Sequence, residues 1–222
     1  MGSVKNILCY GDSNTYGYRP DGMGRYEIDI RWTGILQKKL GIGYKIFEAG
    51  CCGRTTVLDD PYRPYKNGKD FLLPTLEIAS PVDLLVLMLG TNDCKSVYGQ
   101  TAEQIGSGIS ELLELIKNNP KFNLGTIPEI LLISPLHLKD SVWKEKFDLD
   151  FNANSVQVSK KLKEVYQNIA KKEKCYFLAA SDIAEASMTD GEHLDETGHK
   201  KIAESLERKI RIIFKEKQYK AA

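Results

Sequence analysis

Five short, mostly apolar runs alternate along the chain with longer segments of helical period, and this alternation is the strongest constraint on the fold. The third run reads LLVLML at residues 84–89 and is apolar throughout, as expected of a strand covered on both faces. Alternating β and α segments are typical of βα units on one parallel sheet. We predict strands at residues 6–10, 44–48, 83–89, 129–134 and 175–179.

Two of the intervening segments have a clear helical pattern. The first begins at Thr101, where the sequence Thr-Ala-Glu-Gln has the form of a capping box. Its apolar stripe consists of Ile105, Ile109, Leu112, Leu113 and Ile116. The stripe of the last helix consists of Ile202, Leu206, Ile210, Ile213 and Phe214. This spacing predicts that each helix packs one face on the sheet.

The composition excludes several classes of function. A chain of 222 residues with 42% apolar and 27% charged residues suits one domain spanning residues 1–222. Its formal net charge of +1, spread along the chain, gives no field that attracts nucleic acid or an anionic membrane. We identify no signal peptide or membrane span, and the five cysteines form neither a CxxC pair nor a zinc spacing. We therefore expect a cytoplasmic protein without metal, cofactor, nucleic-acid or membrane partner.

Parallel βα units place ligands at the carboxyl ends of the strands, so the residues after each strand are the first candidates for a site. The sequence GDSNTYG at residues 11–17 follows the first strand. Its glycines permit a sharp turn that could expose the hydroxyl of Ser13 as a nucleophile. The alternative is that Ser13 only caps the following helix.

Two further turns offer hydrogen-bond donors. In AGCCGRTT, at residues 49–56, the backbone N–H of Gly53 could approach a substrate oxygen, although an ordinary βα turn would look the same. In GTND, at residues 90–93, the amide of Asn92 could donate to an oxyanion or could form an Asx turn. Cys51 and Cys52 could supply a thiol nucleophile, but neither has a histidine neighbour in sequence.

The segment DGEH at residues 190–193 supplies an acid and a base. Its spacing can bring the carboxylate of Asp190 onto Nδ1 of His193 and leave Nε2 free to accept a proton. A surface turn is the alternative interpretation. The rival histidines are His199, expected to cap a helix or face solvent, and His137, which follows the fourth strand and is a candidate for lining the pocket.

The four segments GDS, glycine turn, GTND and DxxH occur in an order that resembles the SGNH (GDSL-type) hydrolase family. The resemblance implies a flavodoxin-like three-layer α/β/α sandwich with a five-stranded parallel sheet. It also implies that Ser13 is the nucleophile and that Asp190 and His193 complete a catalytic triad. The oxyanion hole would consist of the backbone N–H groups of Ser13 and Gly53 and the side chain of Asn92.

A narrower resemblance involves ILCYGDS at 7–13, RWTG at 31–34, RTT at 54–56, DDP at 59–61 and MLGTND at 88–93. These segments are similar to the bacterial arylesterase/acyltransferase branch, which includes perhydrolases. The branch implies short acyl groups, acyl transfer and a homo-oligomer. The aromatic segment at residues 62–65 could join subunits or narrow the entrance to the site, with a solvated loop as the alternative. Our candidate pocket residues are Asp12, Trp32 and His137, with a core position as the alternative for Trp32.

These observations predict a serine esterase acting on a small ester through an acyl-enzyme, without a metal. Because His193 must be neutral to act as a base, activity is expected to rise with pH through about 6 to 7. One alternative is a carbohydrate O-acetyl esterase, which would use the same groups. A second is a flavodoxin-like protein whose GDSNTYG turn cradles a phosphate, but that turn lacks a GK[ST] element and leaves Asp190 and His193 without a role.

Overall fold

The computed structural model describes residues 4–145 and 148–221, and a parallel sheet lies at its centre. The strands are β1 (Lys5–Gly11), β2 (Tyr44–Gly50), β3 (Leu84–Met88), β4 (Glu129–Ser134) and β5 (Tyr176–Ala179). They lie in the order β2-β1-β3-β4-β5, and all four neighbouring pairs are parallel. All five predicted strands are present, with ends that differ by at most two residues.

Helices cover both faces of this sheet. The described helices are α1 (Ser13–Tyr16), α2 (Trp32–Leu40), α3 (Gly68–Ala79), α4 (Ala102–Lys117), α5 (Ser141–Lys144), α6 (Ala153–Glu173) and α7 (Glu196–Ala221). The side chains of Leu85 and Leu87 belong to the core beneath α3, α4 and α6, whereas those of Leu84 and Val86 belong to the core beneath α2 and α7. Successive strand residues face opposite sides, so an apolar run buries both faces. The predicted α/β/α sandwich is confirmed.

Local sequence explains how the clearest helix begins. The hydroxyl of Thr101 accepts from the backbone N–H of Gln104, and the Gln104 side chain accepts from the N–H of Thr101, which is the predicted capping box. All five members of the predicted α4 stripe are buried, as are those of α7.

The start of α2 corrects one expectation about His199. This residue lies in α7 but is fully buried, and its Nδ1 accepts the backbone N–H of Trp32 at 3.3 Å. It therefore caps the beginning of α2, where the side chain of Arg31 makes no capping bond, and does not face solvent. Burial lowers the pKa of His199 to about 4, so the ring is a neutral acceptor.

The sheet order determines where a site can form. The chain leaves β1 for β2 on one side and then returns to β3 on the other, so the direction of winding reverses between β1 and β3. Ligand crevices in such sheets open at the carboxyl ends of the strands next to this reversal. The GDS and GTND turns follow these two strands directly. Among the helices described, none is both long and apolar enough to cross a membrane.

Candidate active site

The turn after β1 holds Ser13 in a fixed position. Asp12 is the N-cap of α1, and its Oδ1 accepts the backbone N–H of Asn14 at 3.0 Å. Ser13 is the first residue of the helix, so the alternative in which Ser13 is itself the cap is wrong. A Cβ at Gly11 would overlap Thr15 Oγ1 and lie 2.7 Å from the carbonyl oxygen of Met88. Only glycine lets α1 start this close to β3.

A chain of hydrogen bonds connects Ser13 to His193, 180 positions later, and through it to Asp190. Ser13 Oγ lies 2.9 Å from His193 Nε2, and His193 Nδ1 lies 2.6 Å from Asp190 Oδ2. The other carboxylate oxygen, Asp190 Oδ1, accepts the backbone N–H groups of Glu192 and His193, both at 3.0 Å. The turn thus fixes the carboxylate, and the carboxylate favours the tautomer that carries its proton on Nδ1. Nε2 is then able to accept the hydroxyl proton.

The two predicted donor residues, Gly53 and Asn92, line the same cavity as Ser13. Gly53 has φ +79°, a left-handed conformation that favours glycine. One N–H of the Asn92 amide donates to the carbonyl of Arg54 at 3.1 Å, which orients the amide and leaves its second N–H available. Both oxygens of Asp93 accept the N–H of Thr56 at 3.0 Å, so the two turns are tied together.

The cavity at this site has a volume of about 420 Å³. Its wall contains Ser13, Gly53, Asn92, Asp190 and His193 together with Tyr18, Pro20, Asp21, Gly22, Cys52, Arg63, Lys95, Asp148 and Glu192. Such a volume is at the lower end of the range for small-molecule sites. Most of the residues in the wall are polar or charged, but apolar atoms contribute at least as much of its surface, so the wall offers both kinds of contact to a small substrate.

The three candidate pocket residues lie outside this wall. Asp12 is buried beneath α1, because its carboxylate caps that helix. Trp32 is a core residue between the sheet and α7, with its indole N–H donating to the carbonyl of Asn14 at 3.0 Å. His137 lines a separate cavity with Lys139, because β4 is one strand further from β1 than β3 is. The expectation that these side chains line the pocket is wrong for this cavity.

Three carboxylates determine the charge state of His193. Burial by itself lowers the pKa of the imidazolium, but the negative charges of Glu192, Asp190 and Asp12 outweigh it and raise the pKa to about 9. Burial also raises the pKa of Glu192. Burial raises the pKa of Cys52 to about 11, so this thiol stays protonated at neutral pH and is a poor nucleophile.

Four residues that contact or surround Ser13 and His193 were not singled out from the sequence. Asn14 Oδ1 accepts the N–H of Leu194 at 2.9 Å, and the ring of Tyr18 lies 4.8 Å from that of His193. Glu192 and Lys95 are buried charges in the cavity wall. The positions of Asn14 and Glu192 inside the GDSN and DGEH motifs were the available signal. No cluster of metal-ligating side chains occurs among the residues the structure describes.

An α/β/α sandwich with serine, histidine and aspartate joined at the strand ends has the architecture of a serine hydrolase. The chain belongs to the GDSL-like lipase/acylhydrolase family, whose model matches residues 9–201. The predicted family and its class, the carboxylic ester hydrolases, are thereby confirmed at the level of the family.

Solved structures and a curated protein give the same picture. An inhibitor-bound aryl esterase from M. smegmatis is 33% identical, with a TM-score of 0.87 over 94% of this chain and 99% of that one. A carbohydrate acetylesterase from Sinorhizobium meliloti is 32% identical, with a TM-score of 0.86 over 94% and 99% of the two chains. An acetylxylan esterase from Xylanibacter ruminicola is 26% identical over 219 residues, which cover 89% of this chain and 41% of that protein. The chain thus spans less than half of that curated relative.

Proposed function

We propose that this protein is a serine esterase that hydrolyses or transfers short acyl groups of small esters through an acyl-enzyme. The observation that carries the proposal is the continuous hydrogen-bonded chain from Ser13 Oγ through His193 to Asp190, at 2.9 and 2.6 Å.

In the first step, Ser13 Oγ attacks the ester carbonyl and gives its proton to His193 Nε2. Asp190 remains ionised and stabilises the imidazolium that forms. The negative charge on the carbonyl oxygen is stabilised by the N–H groups of Ser13 and Gly53 and by the free amide N–H of Asn92. The imidazolium then protonates the leaving alkoxide, which departs and leaves an acyl group on Ser13.

In the second step, water or an alcohol attacks the acyl group while His193 Nε2 removes its proton. The bond to Ser13 Oγ breaks, and the imidazolium returns the proton to that oxygen. This scheme uses only side chains and backbone groups of the chain. The five free cysteines support a reducing compartment such as the cytoplasm as its location.

An acetyl group carried by a sugar is the second candidate substrate. The charged wall residues Asp21, Arg63 and Lys95 could bind hydroxyl groups of a carbohydrate. Two similar proteins are named for acetylated carbohydrates, whereas another is named an aryl esterase. Initial rates on aryl acetates, aryl butyrates and acetylated xylose, measured side by side, would discriminate between these substrates.

Labelling with a fluorophosphonate ester tests the proposal directly, because this reagent requires an activated serine. We expect one adduct on Ser13, located by peptide mass spectrometry, and none in Ser13→Ala. The kcat should fall by on the order of 10⁶ in Ser13→Ala and by roughly 10² to 10³ in Asn92→Ala. Absence of an adduct on the wild-type protein would instead favour the flavodoxin-like binding protein.

A further inference from the structure

A second carboxylate, that of Glu192, lies on the opposite side of the imidazole from Asp190. Glu192 Oε1 is 3.8 Å from His193 Nε2, the nitrogen that also contacts Ser13 Oγ. The side chain of Glu192 is only 7% exposed, and it lines the cavity. Asp190 accounts for the orientation of the ring, so the catalytic scheme above assigns no role to Glu192.

The charged neighbours of Glu192 are already engaged with other groups. Lys95 Nζ forms ion pairs with Asp150 Oδ2 at 2.9 Å and Asp148 Oδ2 at 3.4 Å. Asp190 is bonded to His193. Within the described part of the chain, no donor lies at hydrogen-bonding distance from the Glu192 carboxylate, and its one ion-pair partner is the His193 ring, 3.8 Å from Oε1. A buried carboxylate facing a cavity without a donor of its own is suited to a donor from a ligand.

The distance between Glu192 and His193 indicates what that donor is. Two atoms 3.8 Å apart are too far for a direct hydrogen bond, but both can bond at about 2.8 Å to one oxygen lying between them. An oxygen bonded to Nε2 and adjacent to Ser13 is where the attacking acceptor must lie in the second step. The same oxygen or an adjacent hydroxyl of the acceptor is within reach of Glu192.

We propose that Glu192 positions the acyl acceptor and selects acceptors that carry a second hydrogen-bond donor, namely water and vicinal diols, over monohydric alcohols. The proposal rests on the esterase function proposed above. One hydrogen of the acceptor points to His193 Nε2, and the second donor points to Glu192 Oε1. A monohydric alcohol has a single O–H, which His193 requires, so it leaves the carboxylate without a partner.

The chemical step is unchanged by this role. The acceptor oxygen forms a bond to the acyl carbon, its proton moves to His193 Nε2, and the bond between that carbon and Ser13 Oγ breaks. The imidazolium then returns a proton to Ser13 Oγ. Glu192 remains ionised throughout and only accepts a hydrogen bond, so it is a positioning residue for this step.

Competition between two matched acceptors tests the proposal. The enzyme is acylated by 4-nitrophenyl acetate in the presence of equal concentrations of 1,2-ethanediol and 2-methoxyethanol, which differ by methylation of the second hydroxyl. The two acetylated products are then quantified. We expect the wild-type protein to prefer the diol by about tenfold, the effect of one hydrogen bond to a charged group. In Glu192→Leu the preference should fall to about that of the uncatalysed reaction.

Two controls make the outcome specific. Glu185→Gln removes a carboxylate that lies outside this cavity wall and pairs with Lys139, and it should retain the diol preference. Fluorophosphonate labelling of Ser13 reports the first step alone. Glu192→Met, which has a similar length and only a weak acceptor, replaces Glu192→Leu if that variant is not labelled. An unlabelled wild-type protein would refute the esterase function itself. A labelled wild-type protein with the same diol preference as its labelled Glu192 variant would overturn only the role of Glu192.

Discussion

In the proposed mechanism most of the chemistry depends on the imidazole of His193, which has three carboxylates around it. The carboxylates of Asp190, Glu192 and Asp12 raise its pKa to about 9, against the effect of burial. The ring of Tyr18 covers another side at 4.8 Å. Because a base must be unprotonated to accept a proton, the free protein holds its base largely in the inactive, protonated form at neutral pH.

This charge state predicts the pH dependence of kcat/KM. The rate should rise with pH through the region near 9, since the neutral fraction of an imidazole with that pKa increases about tenfold per pH unit below it. The rise in activity is therefore expected at a higher pH than the range of about 6 to 7 that the sequence alone predicted. Initial rates corrected for spontaneous ester hydrolysis provide the measurement.

The variant Glu192→Gln tests whether the Glu192 carboxylate raises the pKa of His193. Removal of a negative charge beside Nε2 lowers the pKa of His193, so the rising part of the profile should move to lower pH. Glu185→Gln, at an exposed carboxylate paired with Lys139, serves as the control and should leave the profile in place. A wild-type profile that is already flat by pH 7 would contradict this account.

The sequence was sufficient to predict that residues in the turns after the strands meet at one site. Ser13, Gly53 and Asn92 lie in the turns that follow β1, β2 and β3, and parallel strands bring their carboxyl ends to one edge. Whether a side chain then points into the cavity depends on local hydrogen bonds. The carboxylate of Asp12 turned back to cap α1, and the ring of Trp32 entered the core, which spacing alone does not specify.

At the scale of secondary structure, the site forms where α1 contacts the turn that precedes α7. Asn14 connects these two elements, because its Oδ1 accepts the N–H of Leu194 at 2.9 Å and its Nδ2 donates to the carbonyl of Glu192 at 3.5 Å. Its own carbonyl accepts the indole N–H of Trp32. The side chain is buried, so no solvent replaces these bonds when they are lost.

Truncation of the Asn14 side chain should reduce both the stability of the protein and its activity. We expect Asn14→Ala to lower the free energy of unfolding by roughly 1 to 3 kcal/mol, because the Leu194 N–H is left buried without an acceptor. Fluorophosphonate labelling of Ser13 should also slow, since the turn carrying His193 is less firmly held. Urea unfolding and labelling rates measure the two effects. Asn168→Ala, at an exposed position of α6, should change neither.

The close approach of β2 to α1 gives a second prediction at this scale. A Cβ at Gly50 would overlap Tyr16 N and lie 2.6 Å from the carbonyl carbon of Thr15. Gly50→Ala must therefore displace α1 and with it Ser13, which should reduce the thermal midpoint and the labelling rate together. Gly43→Ala, where a Cβ meets no atom within 4 Å, is the matched control. Equal labelling of the two variants would show that α1 tolerates the displacement.

The need for glycine at position 50 was not predictable from its own neighbourhood. It arises because β1 and β2 pair in parallel with Gly11 opposite Gly50, so that the turn after one strand lies against the end of the other. Capping is different, because Thr101 and Gln104 are three residues apart and their hydrogen bonds require only local backbone geometry. The capping rule, which depends only on neighbouring residues, therefore predicted the start of α4 correctly. Contacts between neighbouring strands could be predicted only once the strand order was known.

At the scale of the whole molecule, several large apolar side chains are exposed on the surface. Tyr62 and Tyr65 are 78% and 76% exposed, and Arg63 between them lines the cavity. Leu149 is 76% exposed. Large exposed apolar side chains, when clustered, are a feature of protein interfaces.

We therefore predict a homo-oligomer whose interface includes the segment around Tyr62 and Tyr65. Light scattering at micromolar concentration should give a mass that is a multiple of that of one chain. The double variant Tyr62→Ser/Tyr65→Ser should shift this mass toward that of a single chain, whereas Ile42→Ser, at another exposed apolar side chain, should not. A monomeric wild-type protein would refute the prediction.

The class of fold followed from the alternation of elements, but the order of the strands did not. The run at residues 84–89 indicated a strand covered on both faces, and β3 indeed lies in the middle of the sheet. That β1 separates β2 from β3 is a property of how the chain reverses direction, which short segments do not encode. The site depends on that reversal, because it is what brings the GDS and GTND turns side by side.

The distance in sequence between Ser13 and His193 also affects when the protein becomes active during its synthesis. Translation delivers the hydroxyl first and the imidazole 180 residues later. A ribosome-bound chain that has emerged only as far as β5 has no base beside its serine, which is then as unreactive as an ordinary alcohol. In the proposed mechanism, ester cleavage starts only after the turn bearing the imidazole has docked on Asn14, so activity on a translating ribosome would report that docking.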